Sequence, residues 1–262
     1  MKDVQNMALQ MRRNIIELAR AAGSNGAHLG SALSIVEIMA VLYSKVLKLH
    51  GECRDRFILS KGHGSLGLYT ALNKVNIISD EKLSTYEANG GDLPGQPCLN
   101  ESIGIEMSSG SLGLGLSFGI GCVVASKLKG LDYKAYVLMG DGELNEGSVW
   151  EAVMFAGHHK LSNLIAIIDA NGMQSDGTID DILSFDYTVF DKFGWDVIWV
   201  DGHNIQEIYK AFASNSDKPR VIVAKTVKGK GISFMESNNE WHHNVLTDAK
   251  YKQAMNELNE VV

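Results

Sequence analysis

An α/β fold, with a doubly wound, mainly parallel sheet and helices on both faces, is what this sequence predicts, on three observations. Short β-rich apolar runs lie at residues 135–139, 164–169, 197–200 and 221–224. Helix-like spacing fills the intervals between them. Two of the runs end in turns built around Asp141 and Asn171. Strands buried on both faces read as unbroken apolar runs, and alternation with helices is the pattern of a parallel sheet.

Taken in order, apolar positions three and four apart predict helices over 4–22 and 35–47. Residues 108–126 are the most apolar stretch. They hold five glycines between Gly110 and Gly121, which suits a loop feeding a tightly packed buried helix better than a membrane span. Helices are expected at 149–159 and 205–213, with a less regular one near 187–193. His158 and His159 fall at a helix end, where they suit the dipole. Only three prolines occur and no linker divides the 262 residues, so one domain over 1–262 is expected.

Composition narrows the function. Hydrophobic residues make up 45% and charged residues 21%, the balance of an ordinary globular protein. A net charge of −7 argues against nucleic acid or an acidic membrane as partner. The three cysteines are widely spaced without a CxxC pair, which suits a reducing cytoplasm rather than a disulfide or zinc scaffold. The N-terminal segment is charged throughout and lacks the features of a signal peptide. A cytoplasmic location is expected.

In doubly wound sheets ligands sit at the carboxyl ends of strands. There the chain places Gly140-Asp141-Gly142 and, thirty residues after Asp141, Asn171-Gly172-Met173. Each alone reads as an ordinary turn. Together, on neighbouring strand tips, a carboxylate, an amide oxygen and a backbone carbonyl are hard donors. Magnesium takes about six such oxygens, often completing its shell with phosphate. Glycines allow close backbone approach, and a following helix N-terminus favours an anion.

Gly140-Asp141-Gly142 followed by Asn171 resembles the thiamine diphosphate fingerprint. Segments 26–38 (GAHLGSALSIVEI), 55–69 (DRFILSKGHGSLGLY), 108–121 (SSGSLGLGLSFGIG), 140–152 (GDGELNEGSVWEA) and 228–243 (KGKGISFMESNNEWHH) resemble, in that order, successive blocks of the transketolase diphosphate-binding domain. The resemblance implies a thiamin diphosphate-binding fold, thiamine diphosphate as cofactor, and Mg2+ (or Ca2+ or Mn2+). Asp141 and Asn171 would ligate the metal by side chain and Met173 by its carbonyl. Gly142, His63 and His242 would contact the diphosphate, and Gly110 and Leu112 would lie beside the cofactor rings. His28 would face substrate oxygens, with His242 also catalytic, and Glu146 would meet a partner's catalytic carboxylate. No role is assigned to His50, His203 or His243. Gln96 stands where the family carries a histidine that touches the donor sugar's terminal hydroxyl, and Ser111 stands where a proline is common.

Thiamine chemistry also needs a glutamate at the pyrimidine ring. In the family it lies on a second domain, followed by a third, whereas this chain ends after the first. The implied enzyme is split. A C-terminal transketolase subunit would supply the glutamate, in a heterotetramer that moves a two-carbon ketol unit from a ketose phosphate to an aldose. The alternatives are the alpha subunit of a 2-oxo acid dehydrogenase, against which the His28 block and Trp241-His242 stand, and a non-catalytic, cofactor-binding regulatory subunit.

Overall fold

The four predicted runs form strands, and a fifth strand precedes them. The computed structural model describes residues 1–260. In chain order it contains α1 (Lys2–Ala21), α2 (Leu29–Ser34), α3 (Val36–Val41), β1 (Arg56–Leu59), α4 (Ser65–Lys74), α5 (Asp80–Leu83), α6 (Gly115–Leu128), β2 (Ala135–Gly140), α7 (Gly147–His158), β3 (Leu164–Ala170), α8 (Ile179–Ile182), α9 (Val189–Lys192), β4 (Asp196–Asp201), α10 (Ile205–Ala213), β5 (Arg220–Lys225) and α11 (Asp248–Glu260). The strands order as β1-β2-β3-β5-β4. Every pairing between them is parallel.

Strand side chains alternate between two cores because successive Cβ atoms point to opposite faces. Tyr136, Leu138, Ile165, Ile167 and Ile222 enter the core shared with α1, α3, α4 and α10. Val137, Met139, Ala166, Ile168 and Val223 enter the other, with α6, α7 and α9. The central strands carry apolar residues on both faces for that reason, and each fully buried Ile or Val stabilises by about 1.5–3 kcal/mol. α1 buries Val4, Ala8, Met11 and Ile15 along one stripe. α10 starts where the Asn204 side chain accepts hydrogen bonds from the amides of Gln206 and Glu207.

Two expectations need correction. The helix expected over 35–47 begins earlier and breaks at Ile35, giving α2, α3 and a π-helical turn over Leu42–Val46. Next to the break, the Ser34 hydroxyl lies 2.7 Å from Asp169 and 3.0 Å from the Ser31 carbonyl, and such local bonds compete with the helix ladder. α6 is only half buried: Phe118 is 41% and Leu128 83% exposed, as is Leu114 just before it. One face of α6 packs on the sheet, and the other is left open by the described residues. No described helix is long and apolar enough to cross a membrane.

Candidate functional site

The carboxyl ends of β1, β2, β3 and β5 converge on one cleft of ≈ 240 Å³. β1 delivers Lys61 and His63, β2 delivers Asp141 and Gly142, β3 delivers Asn171 and Met173, and the segment after β5 delivers Lys228. Gly110, Leu112, Glu146 and His242 complete the wall. Every residue given a cofactor, metal or catalytic role from the sequence lines it except His28, whose ring lies 6.0 Å from His63 and 5.5 Å from His242. Glu146 is exposed at the rim.

The two tips meet directly. Asp141 accepts hydrogen bonds from the Gly172 amide at 2.6 Å and from the Gly142 amide at 2.8 Å. Asn171 accepts from the Met173 amide at 3.0 Å and donates to Asp169 at 3.0 Å. Burial, followed by the Asp169 charge, pushes Asp141 up to about 6, against the pull of those amides and Lys61. A carboxylate uncomfortable as an anion is eased by a cation. Among the described residues no group of three His, Cys, Asp or Glu side chains is placed to hold a metal. A metal here would therefore rest on one carboxylate, an amide oxygen and a carbonyl, with its other oxygens from a ligand. That donor set fits magnesium and a diphosphate. A Cβ on Gly142 would lie 2.7 Å from Gln174 Cγ, so a side chain there would have to displace Gln174.

Sequence reasoning missed the floor of the cleft. Lys61 and Asp169 form a buried ion pair, both without exposed surface. Asp169 also accepts from Ser34, Asn171 and Thr226. Burial works to raise its carboxyl, but the Lys61 ammonium and these bonds outweigh it and hold it below the ordinary range. The available signal was a charged residue closing the apolar run LIAIID. Its partner lies 108 positions away, so pairing was not readable.

The imidazoles work as neutral groups. Burial, then the charges of His243, His242 and Lys228, lowers His28 to about 4. Burial and Lys228 lower His242 to about 4, and burial with Lys61 sets His63 well below its usual value. At neutral pH they offer hydrogen bonds rather than charge, so positive charge comes from Lys61 and Lys228. The Lys228 ammonium donates to the Gln174 carbonyl at 3.0 Å, to Asn239 at 2.7 Å and to His242 Nδ1 at 3.1 Å.

Glu143 ties three segments together, accepting from Ser60, from the Gly113 amide (2.8 Å) and from the Gly140 amide (3.2 Å). It thereby fixes the loop carrying Gly110 and Leu112 against the tip of β2. Beside that loop, Gln96 Oε1 and Ser109 Oγ are buried with no hydrogen-bond partner among the described residues. Both lie within 2.7 Å of where a Cβ on Gly62 would sit. The pair offers an incoming hydroxyl neutral hydrogen-bonding groups.

Residues 5–259 match the family described as transketolase, thiamine diphosphate binding domain. An apulose-4-phosphate transketolase subunit of Phocaeicola vulgatus is 38% identical over 98% of this chain and 95% of that protein. The 6-deoxy-6-sulfo-D-fructose transketolase subunit SqwG of a Clostridium species is 39% identical, over 98% and 96%. The crystal structure of the Campylobacter jejuni transketolase superposes with a TM-score of 0.91 at 30% identity. The match covers 99% of this chain but 43% of that one.

Proposed function

The chain belongs to the transketolase thiamine diphosphate-binding domain family, and from that premise we propose that it is the diphosphate-binding subunit of a two-chain cytoplasmic transketolase. It would transfer a two-carbon ketol unit from a ketose phosphate to an aldose acceptor. The observation that carries the reading is the direct contact between the Asp141 and Asn171 tips over a cleft walled by Lys228, His63 and His242. Relatives named as subunits, each covered almost end to end by this chain, support a partner. The relatives named as transketolases do not favour an alpha subunit of a 2-oxo acid dehydrogenase or a regulatory role.

In this reading Asp141, Asn171 and the Met173 carbonyl hold a divalent metal, Mg2+ (or Ca2+ or Mn2+), that anchors the diphosphate. When bound, thiamine diphosphate supplies an electron sink for the two-carbon unit. His63, His242 and Gly142 bind the diphosphate, and Gly110 and Leu112 border the rings. His28 and His242, held neutral, donate and accept protons at donor oxygens. The exposed apolar side chains of Leu114 just before α6, Phe118 on α6, and Met154 and Phe155 on α7 would take part in docking a C-terminal subunit. That subunit would supply the pyrimidine-site glutamate, in a two-plus-two heterotetramer.

Reconstitution tests the reading. The chain mixed with its partner, magnesium and thiamine diphosphate should transfer ketol units from a ketose phosphate, and the chain alone should not. Transfer by the isolated chain would sink the two-chain assignment.

A pH dependence follows from Lys228. Burial, then the neighbouring Lys61 charge, pushes it down to about 8, while Asp141 and Asp169 pull upward. A folded lysine that holds its proton less tightly is charged below about 8 and loses that charge as pH rises further. Cofactor affinity of the pair should therefore weaken as pH climbs through this range. Lys228→Met should bind more weakly at neutral pH and lose the dependence. Calorimetric titration at several pH values checks both, and equal slopes in the two proteins would count against it.

A further inference from the structure

We propose that His203, which lies outside the cleft, is a positioning residue: it sets the loop 226–231 and, through Lys228, the orientation of His242. The inference rests on the diphosphate reading above. His203 follows β4, and its Nδ1 lies 2.9 Å from Glu37 Oε2. The Val227 amide donates to its Nε2 at 2.9 Å. A backbone N–H can only donate, so Nε2 is the acceptor and the ring proton sits on Nδ1, shared with Glu37. Burial opposes ionisation of Glu37, but the Arg12 guanidinium and His203 outweigh it and bring the carboxyl down to about 2. Glu37 is thus a fixed anion that fixes the tautomer.

Arg12 grips both oxygens of Glu37 and donates a further N–H, on Nε, to the Lys230 carbonyl at 3.1 Å. The loop is therefore tied at Val227 and again at Lys230, by side chains from α1 and from the turn before α10. Lys228 stands between the ties with 1% exposure. A lysine ammonium only donates, so His242 Nδ1 is an acceptor and its Nε2 carries the hydrogen. That leaves Nε2–H as the one donor the ring can offer a ligand. Around the loop there is little slack. The Gly229 amide donates to the Gly30 carbonyl at 2.9 Å. A Cβ on Gly30 would lie 3.0 Å from Lys228 Cγ, and one on Gly231 would lie 2.8 Å from Arg12 Nε. An unbroken series of contacts runs from Arg12 through Glu37, His203, Val227 and Lys228 to His242.

The test compares His203→Ala with His203→Gln. A glutamine amide can donate to Glu37 through its nitrogen while its oxygen accepts from Val227, so it should rescue. In the full chain, hydrogen exchange of the Val227 and Lys228 amides should quicken at least about tenfold in the Ala variant and return to wild-type rates in the Gln variant. In the chain with its partner, the Kd and KM for thiamine diphosphate with magnesium should rise about tenfold in the Ala variant only, in line with the effect of outer-shell partners at metal sites. Because His242 also serves the donor oxygens, kcat at saturating cofactor should fall in the Ala variant and return to wild type in the Gln variant. Unchanged exchange and Kd in His203→Ala would overturn the inference, as would a glutamine variant as impaired as the alanine one. A wild-type pair that takes up no thiamine diphosphate would overturn the diphosphate reading and the inference with it.

Discussion

Asp141→Asn should lower magnesium-dependent binding of thiamine diphosphate by well over 100-fold and abolish ketol transfer, without lowering thermal stability. Outer-shell changes at metal sites already cost about 10–100-fold, and this change removes the one carboxylate on which the two tips converge. The stability half of the expectation comes from the sign of the shift. Burial and Asp169 raise Asp141 from 3.8 to about 6. Its stabilising contribution is therefore complete below the unfolded value and is lost as pH rises through about 6. Near neutral pH the ionised carboxylate costs the ligand-free fold roughly 1–3 kcal/mol. Asparagine removes that cost but forfeits part of the Gly142 and Gly172 bonding, so the two effects oppose each other. Loss of binding with an undiminished Tm marks a residue kept for its ligand. A variant that binds cofactor normally, or that unfolds, would contradict the role.

Lys61→Met should destabilise the chain by about 3–5 kcal/mol, the loss expected when one member of a buried ion pair is removed and the other stays charged. Asp169 has no exposed surface, so water cannot take the place of the ammonium. Ser34, Asn171 and Thr226 would still donate to it, but none carries charge. The double variant Lys61→Met/Asp169→Asn should recover most of the loss, because a neutral amide needs no counter-ion. Urea denaturation of the three proteins decides this. A single variant within about 1 kcal/mol of wild type would place the pair among weakly contributing ion pairs.

Much of the sheet was legible in the sequence because a strand buried on both faces leaves an unbroken apolar run, as β2, β3 and β5 do, while the edge strand β4 still carries the apolar run Val197–Val200 although Trp199 is exposed. α10 was legible to its ends, since Asn204 caps it and Ile205, Ile208 and Phe212 mark its buried stripe. β1 escaped because Arg56–Leu59 has four residues and opens on an arginine. The exposed side of α6 escaped because a helix apolar all round carries no stripe to show which face is covered. Within the site, Asp141 and Asn171 could be paired from their strand-tip positions alone. Convergence of His28, His63 and His242 was implied only by family resemblance, and the rings do meet within 6.0 Å. Lys61–Asp169 and Arg12–Glu37–His203 could not be read, because each joins residues distant in sequence through packing that no local pattern encodes.

Manganese can replace magnesium among oxygen donors and scatters anomalously. Crystals of the chain with its partner, grown with Mn2+ and thiamine diphosphate, should show one anomalous peak per copy of this chain. It should lie within bonding distance of the Asp141 carboxylate, the Asn171 amide oxygen and the Met173 carbonyl, with diphosphate density toward Lys228 and His242. A peak elsewhere, or a diphosphate bound with no metal at those three oxygens, would contradict the account.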